Sequence, residues 1–190
     1  GGFSTGHGYL REPNDIYSYS ALACIAIQAN QNDQHGGQSI VNFDYAMAEG
    51  VKKTFRKRYR DNLIRAMELT LGVEDAEKDG RAIVDRLRSE KDLVPSLLQT
   101  DAYKEAEKEL LLERGISGED IERLQAFAHK KAVLETDRAT FQAMEALIHN
   151  LNTMNSRAGA QVPFSSINYG MDMSPEARMV VKNLLLTTEE

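Results

Sequence analysis

Two short loops hold the residues best suited to chemistry. Phe3–Pro13 reads FSTGHGYLREP, and Asn32–Ser39 reads NDQHGGQS. Each is glycine-rich and each precedes a helical pattern. Glycine permits positive φ and close approach of backbone to a ligand. A helix N-terminus offers unbonded N–H groups to anions. Anion handling is therefore the chemistry these loops suggest. Neither matches the dinucleotide fingerprint or the phosphate-loop lysine pattern, so a plain reading as helix-connecting turns stands beside it.

Other reactive side chains are sparse. Of the four histidines, His7 and His35 lie in the two loops, as substrate contacts or as loop hydrogen-bonding groups. His129 and His149 sit in helical patterns and read as helix-face or core residues, and no pair shows His-x3-His metal spacing. Cys24, the single cysteine, lies within ALACIAI and reads as a small buried hydrophobe. One cysteine excludes a disulfide framework and a multi-cysteine zinc or iron–sulfur site within the chain. No Ser–His–Asp set can be assembled from spacing.

Charge is unevenly spread. The 190 residues carry a formal net charge of -6. Residues 51–65, VKKTFRKRYRDNLIR, hold seven basic groups and one acid, so the rest of the chain is strongly acidic. That balance argues against a general nucleic-acid binder, which would show a broad basic face. A local cationic cluster suits a small anion such as a nucleotide triphosphate. The bland alternative is a solvated helix face. No apolar run is long enough to cross a membrane and no signal peptide is visible, so a cytoplasmic protein is expected. The start without methionine and the helical ending suggest an internal piece of a longer protein.

These groups need elements to position them. A helix is expected over Asp15–Asn30, apolar nearly all round between Ala21 and Ile27 and therefore buried. Phe43, Met47, Val51, Phe55, Tyr59 and Leu63 form an i,i+4 ladder on a long helix closed by Leu71 and Gly72, with Gly50 a local weakness. Residues 74–134 are dense in charge at helical spacing. Helices are expected near 75–90 and 101–114, with a break at Pro95 and a stop at Gly115. Ser117 and Asp120 resemble a capping box for a helix reaching about 134, and Thr136 opens another. Residues 159–170, GAQVPFSSINYG, read as a strand, clearest over 161–168. Ser174–Pro175 starts a last helix. Three segments follow: 1–73, a loop-helix-loop-helix unit; 74–135, an acidic helical region; and 136–190, a helix, a strand and a helix.

Three stretches resemble one family, the anaerobic (class III) ribonucleoside-triphosphate reductases. They are residues 1–45, 144–170 (MEALIHNLNTMNSRAGAQVPFSSINYG) and 174–186 (SPEARMVVKNLLL), about 85 residues in all. The resemblance implies a mainly α piece of a ten-stranded α/β barrel, in an enzyme that reduces ribonucleoside triphosphates to deoxyribonucleotides. It also implies a glycyl radical made by a radical-SAM activase, a structural zinc on cysteines outside this chain, and a homodimer. No catalytic residue and no metal ligand is assigned within these 190 residues, and the chain alone is expected to be inactive.

What the resemblance places here is regulatory. Tyr9, Leu10, Arg11, Glu12 and Pro13, with Lys53, Arg56 and Lys57, are the implied contacts of a dNTP or ATP effector. Ser4, Thr5, Gly6, His7 and Gly8, with Asn32, Asp33, Gln34, His35, Gly36, Gly37, Gln38 and Ser39, are the implied substrate-specificity loops. The rival reading is a non-catalytic helical dimerisation or interaction module. In neither reading is nucleic acid or a membrane a partner.

Overall fold

The i,i+4 ladder forms as its spacing requires. In the computed structural model, which describes residues 4–5, 8–9, 12–32, 43–158 and 174–189, it lies on a helix of 29 residues. Its six members are at most 1% exposed, and Met67 extends the row by a further turn. The element order is β1 (Ser4–Thr5), β2 (Gly8–Tyr9), α1 (Ile16–Asn32), α2 (Phe43–Leu71), α3 (Val73–Lys91), α4 (Asp101–Glu113), α5 (Gly118–Ala158) and α6 (Pro175–Thr188). No helix among the described residues is long and apolar enough to cross a membrane.

The chain divides into two compact units. One comprises Gly1–Lys53 with Ala139–Glu190, and the other Thr54–Arg138. In the first, Ile16, Cys24 and Ile27 of α1, Phe43, Met47 and Val51 of α2, and Met144, Leu147 and Leu151 of α5 are buried. Tyr17 donates to Gln142 Oε1 at 2.7 Å, and Ser20 to the Ala143 carbonyl at 3.2 Å, tying α1 to α5. In the second unit, one core joins Phe55, Tyr59, Leu63 and Met67 with Ile83 and Leu87 of α3, Tyr103 and Leu111 of α4, and Ile121 and Leu124 of α5.

The ends of the helices follow local chemistry. Gly72 and Gly115 take the positive φ values, 83° and 84°, that the chain needs where it leaves α2 and α4. Thr100 caps α4 by accepting from the Tyr103 N–H at 3.2 Å, and Ser117 Oγ accepts from the Asp120 N–H at 3.3 Å. Ser174 caps α6 through the Ala177 N–H at 3.2 Å, with Pro175 in the first turn. Between α3 and α4, His129 Nε2 lies 3.2 and 3.0 Å from the carbonyl oxygens of Ser96 and Leu97. Two acceptors require Nε2 to carry the proton. His129 thus pins the Pro95 break to α5 and packs edge-on to Phe55.

The structure corrects four expectations. The described residues contain no barrel and no large sheet. They are helical, and the strand pairing among them joins only Ser4 to Tyr9 and Thr5 to Gly8. No strand of that kind is seen among the described residues, and the expected one at 161–168 lies outside them. The second correction concerns α5, which is one helix of 41 residues with no break before Thr136. Thr136 is fully buried inside it, and no glycine or proline interrupts 119–158. Third, α1 is not buried all round, since Leu22 and Ile25 are 45% and 61% exposed. Fourth, Gly50 is no weak point but a contact. A Cβ there would lie 3.0 Å from the Ile16 Cα and 3.1 Å from the Tyr19 Cβ.

Gly80 plays the same part between α3 and α2, where a Cβ would lie 2.5 Å from Ile64 Cγ1. Alanine gains about 1 kcal/mol in helix propensity, but overpacking costs about 1–3 kcal/mol. Gly80→Ala is therefore expected to lower the urea unfolding midpoint despite its better propensity. A midpoint at or above that of the parent would show that Ile64 yields freely.

Candidate functional site

Lys53 gathers the end of the first loop onto α2. Its Nζ donates to the Pro13 carbonyl at 3.0 Å and to the Tyr19 hydroxyl at 2.8 Å. It pairs with Glu12 Oε1 at 3.2 Å and lies 5.1 Å from the centre of the Tyr19 ring. Local sequence sets this up. Asp15 Oδ1 accepts from the Ser18 N–H at 2.8 Å, fixing where α1 begins. Gly50, one turn before Lys53, lets the start of α1 lie against α2 and brings Tyr19 within reach of the ammonium.

The electrostatics keep Lys53 charged. Burial pushes its pKa down, but the bonds to Tyr19 and Glu12 outweigh burial and raise it above the ordinary lysine value. The Lys53 side chain is 22% exposed and that of Glu12 79%. A pair this open contributes roughly 0–1 kcal/mol. Glu12 can therefore be exchanged for another anion at little cost.

Of the residues expected at the effector contact, the structure brings together Glu12, Pro13 and Lys53. Tyr9 lies in β2. Arg56 and Lys57 belong to the second unit. Arg56 is half-buried, and its Nε is buried without a hydrogen-bond partner. Lys57 is exposed. Other cations of the basic run are engaged within the chain: Lys52 with Glu49 at 3.4 Å, Arg58 with Glu135 at 3.5 Å and Arg60 with Asp61 at 3.9 Å. The solvated-face reading thus holds for that part of the run. Of the specificity loops, Ser4 and Thr5 form β1, Gly8 is in β2 and Asn32 ends α1. Gly6, His7, Leu10, Arg11, Asp33, Gln34, His35, Gly36, Gly37, Gln38 and Ser39 lie outside the described residues.

Cys24 is 8% exposed, and burial pushes its thiol pKa up. It behaves as the small hydrophobe expected. No three His, Cys, Asp or Glu side chains among the described residues converge on a metal position. A four-cysteine zinc site cannot be built from a chain with one cysteine.

The sequence reading missed a second polar cluster, inside the second unit. Glu107 is fully buried. Its Oε1 accepts from the Tyr59 hydroxyl at 2.7 Å and from Gln125 Nε2 at 3.1 Å, and Gln125 also donates to the Lys104 carbonyl. Tyr103 stacks edge-on to Tyr59 at 5.9 Å. Its hydroxyl and Glu107 Oε2 are both buried without a completed hydrogen bond. Burial pushes the Glu107 carboxyl above the usual range, and the nearby Tyr103, Tyr59 and Gln125 groups only partly oppose this. Burial likewise raises both phenols. One signal in the sequence could have revealed the cluster: Tyr103, Glu107 and Leu111 make an i,i+4 row with a carboxylate in its middle.

A carboxyl pKa raised by folding means that the folded state binds the proton more tightly. Its stabilisation is complete below about pH 4.3, the unfolded value, and is lost as pH rises through the folded value. Glu107→Gln mimics the protonated acid and removes that loss. Relative to the parent, the variant is expected to gain stability as pH rises from 4 to 8, by about 1–3 kcal/mol at the upper end. Urea unfolding across that range checks this, and two parallel stability profiles would contradict it.

A family model described as anaerobic ribonucleoside-triphosphate reductase matches residues 1–190, the whole sequence. No curated protein matches the chain. The chain belongs to the anaerobic ribonucleoside-triphosphate reductase family.

Proposed function

We propose that this chain carries the effector-responsive part of an anaerobic ribonucleoside-triphosphate reductase, reading a bound deoxynucleotide or ATP and passing that state to the choice of substrate base. The observation that supports this reading is the Lys53 cluster. One cation, held near solvent, ties the end of the first glycine loop to α2 through Pro13, Tyr19 and Glu12. An incoming triphosphate accepts charge-assisted hydrogen bonds from Lys53 and displaces the exposed Glu12 carboxylate. The loop ending at Pro13 then changes its hold on α2. The second loop, Asn32–Ser39, responds by favouring one base. Linkage requires the converse, so the favoured substrate tightens effector binding.

The radical chemistry of the whole enzyme belongs to a glycyl radical made by a radical-SAM activase, and a homodimer is the expected assembly. This chain's part is to bind and to orient. The rival reading, a helical dimerisation module, draws on the exposed Leu22 and Ile25 of α1.

Calorimetric titration with dTTP, dGTP, dATP and ATP tests the proposal. Saturable binding is expected, lost when Lys53, Arg56 and Lys57 are all replaced by alanine. Glu12→Gln frees Lys53 from its competitor and is expected to tighten effector binding about 2–5-fold, the worth of about one surface ion pair. If Glu12→Gln leaves the affinity unchanged, Lys53 is a structural tether and not a phosphate ligand.

A further inference from the structure

Three oxygens surround the Lys53 ammonium, and they do not leave it with equal ease. The Tyr19 phenol oxygen lies 2.8 Å from Nζ, the Pro13 carbonyl 3.0 Å and Glu12 Oε1 3.2 Å. An ammonium has three N–H groups and no acceptor, so this set fills it. A new anion must displace a present partner. Glu12 is the one that goes, because its side chain is 79% exposed and regains water on leaving. Tyr19 is held differently. It stands in the first turn of α1, its N–H donates to the Asp15 carbonyl at 3.1 Å, and its Cβ packs where Gly50 of α2 leaves room. It therefore stays in place when Glu12 departs.

The phenol has a second capacity. Toward Lys53 it is the acceptor. A hydroxyl accepts through its lone pairs and keeps its own O–H to donate. Among the described residues no acceptor takes that O–H. Once Glu12 has left, one N–H of Lys53 and the O–H of Tyr19 stand side by side, their heavy atoms 2.8 Å apart. Two adjacent donors, one of them cationic, suit the neighbouring oxygens of one phosphate group. The Tyr19 ring, 5.1 Å from the ammonium, keeps the cation in place meanwhile.

We infer that Tyr19 is a second ligand of the anion bound at Lys53, donating its phenolic O–H to a phosphate oxygen while its own oxygen and ring hold the ammonium. The inference rests on triphosphate binding at Lys53, and it adds a residue that lies outside both glycine loops and the basic run. The sign of one substitution separates this role from a simpler one. If Tyr19 only competes for the ammonium, as Glu12 does, losing its hydroxyl tightens binding. If it donates to phosphate, losing the hydroxyl weakens binding.

Tyr19→Phe keeps the ring and removes only the hydroxyl. Calorimetry of the full chain with dATP and with inorganic tripolyphosphate is expected to show about tenfold weaker binding of both, as for one hydrogen bond to a charged group. Tripolyphosphate is transparent where tyrosine absorbs. A red-shifted tyrosine difference spectrum is therefore expected when it binds the parent, and a diminished one in Tyr19→Phe. Unchanged or tighter binding by Tyr19→Phe overturns the inference, and so does the lack of a red shift in the parent, which needs no variant to fold. A loss with dATP but not with tripolyphosphate also overturns it, since the hydroxyl would then serve the base or the sugar. In all three cases Lys53 remains the anion's ligand provided that Lys53→Ala abolishes binding. If the parent binds neither probe, or if Lys53→Ala binds as the parent does, the effector reading itself fails and the role of Tyr19 falls with it.

Discussion

One apolar row organises both units. Phe43, Met47, Val51, Phe55, Tyr59, Leu63 and Met67 lie along α2 and are buried throughout. An i,i+4 row does not run straight on a helix of 3.6 residues per turn. It slips about 40° at each step, so seven members sweep around the cylinder. A helix patterned this way needs neighbours on more than one side. The first three members are in the core of one unit and the last four in the core of the other. The basic run of residues 51–65 takes the polar positions that this sweep leaves over, and four of its seven cations find carboxylates within the chain.

Close approach to that row depends on small side chains. Gly50 admits the start of α1, and Gly80 admits α3. On α5, Ala128, Ala132, Ala139 and Ala143 are buried along with Thr136 and Thr140. Glycines that a propensity scale marks as poor helix formers thus sit where a neighbouring element leaves little room for a Cβ. The Lys53 cluster inherits its geometry from this constraint. Without the contact at Gly50, Tyr19 would stand farther from the ammonium.

The periodic parts of the fold were legible in the sequence. The ladder, the stops at Gly72 and Gly115 and the Ser174–Pro175 start all encode local chemistry, and all are observed. The apolar run Ala21–Ile27 implies burial nearly all round, but composition alone does not say which flank meets protein and which meets solvent. Thr136 suggests a helix start because threonine favours caps, yet the uninterrupted helical run on both sides is the stronger signal. The family resemblance names Glu12, Pro13 and Lys53 as contacts of one effector, whereas their contact with one another is given by the structure. Their separation in the chain hides a contact that exists only once α1 packs on α2. Glu107 was lost among the solvated charges of 74–134, because burial is a property of the tertiary core and leaves only a faint mark on charge composition.

The two polar clusters differ in a way that decides which can exchange ligands. Glu107 is closed off with Tyr59, Tyr103 and Gln125, and burial drives it toward the neutral acid. A group in that position can hold a proton and fix helix register, but an anion from solvent has no route to it and meets no net positive charge. Lys53 stands in the opposite regime. Its partners outweigh its burial, it stays cationic, and its acidic partner is mostly in water. Displacing the Glu12 carboxylate from Lys53 returns a mostly solvated group to water and exposes no new buried polar group. Chemistry that must respond to a changing pool of anions belongs at such a half-buried cation, and the sealed carboxyl serves the scaffold that holds it.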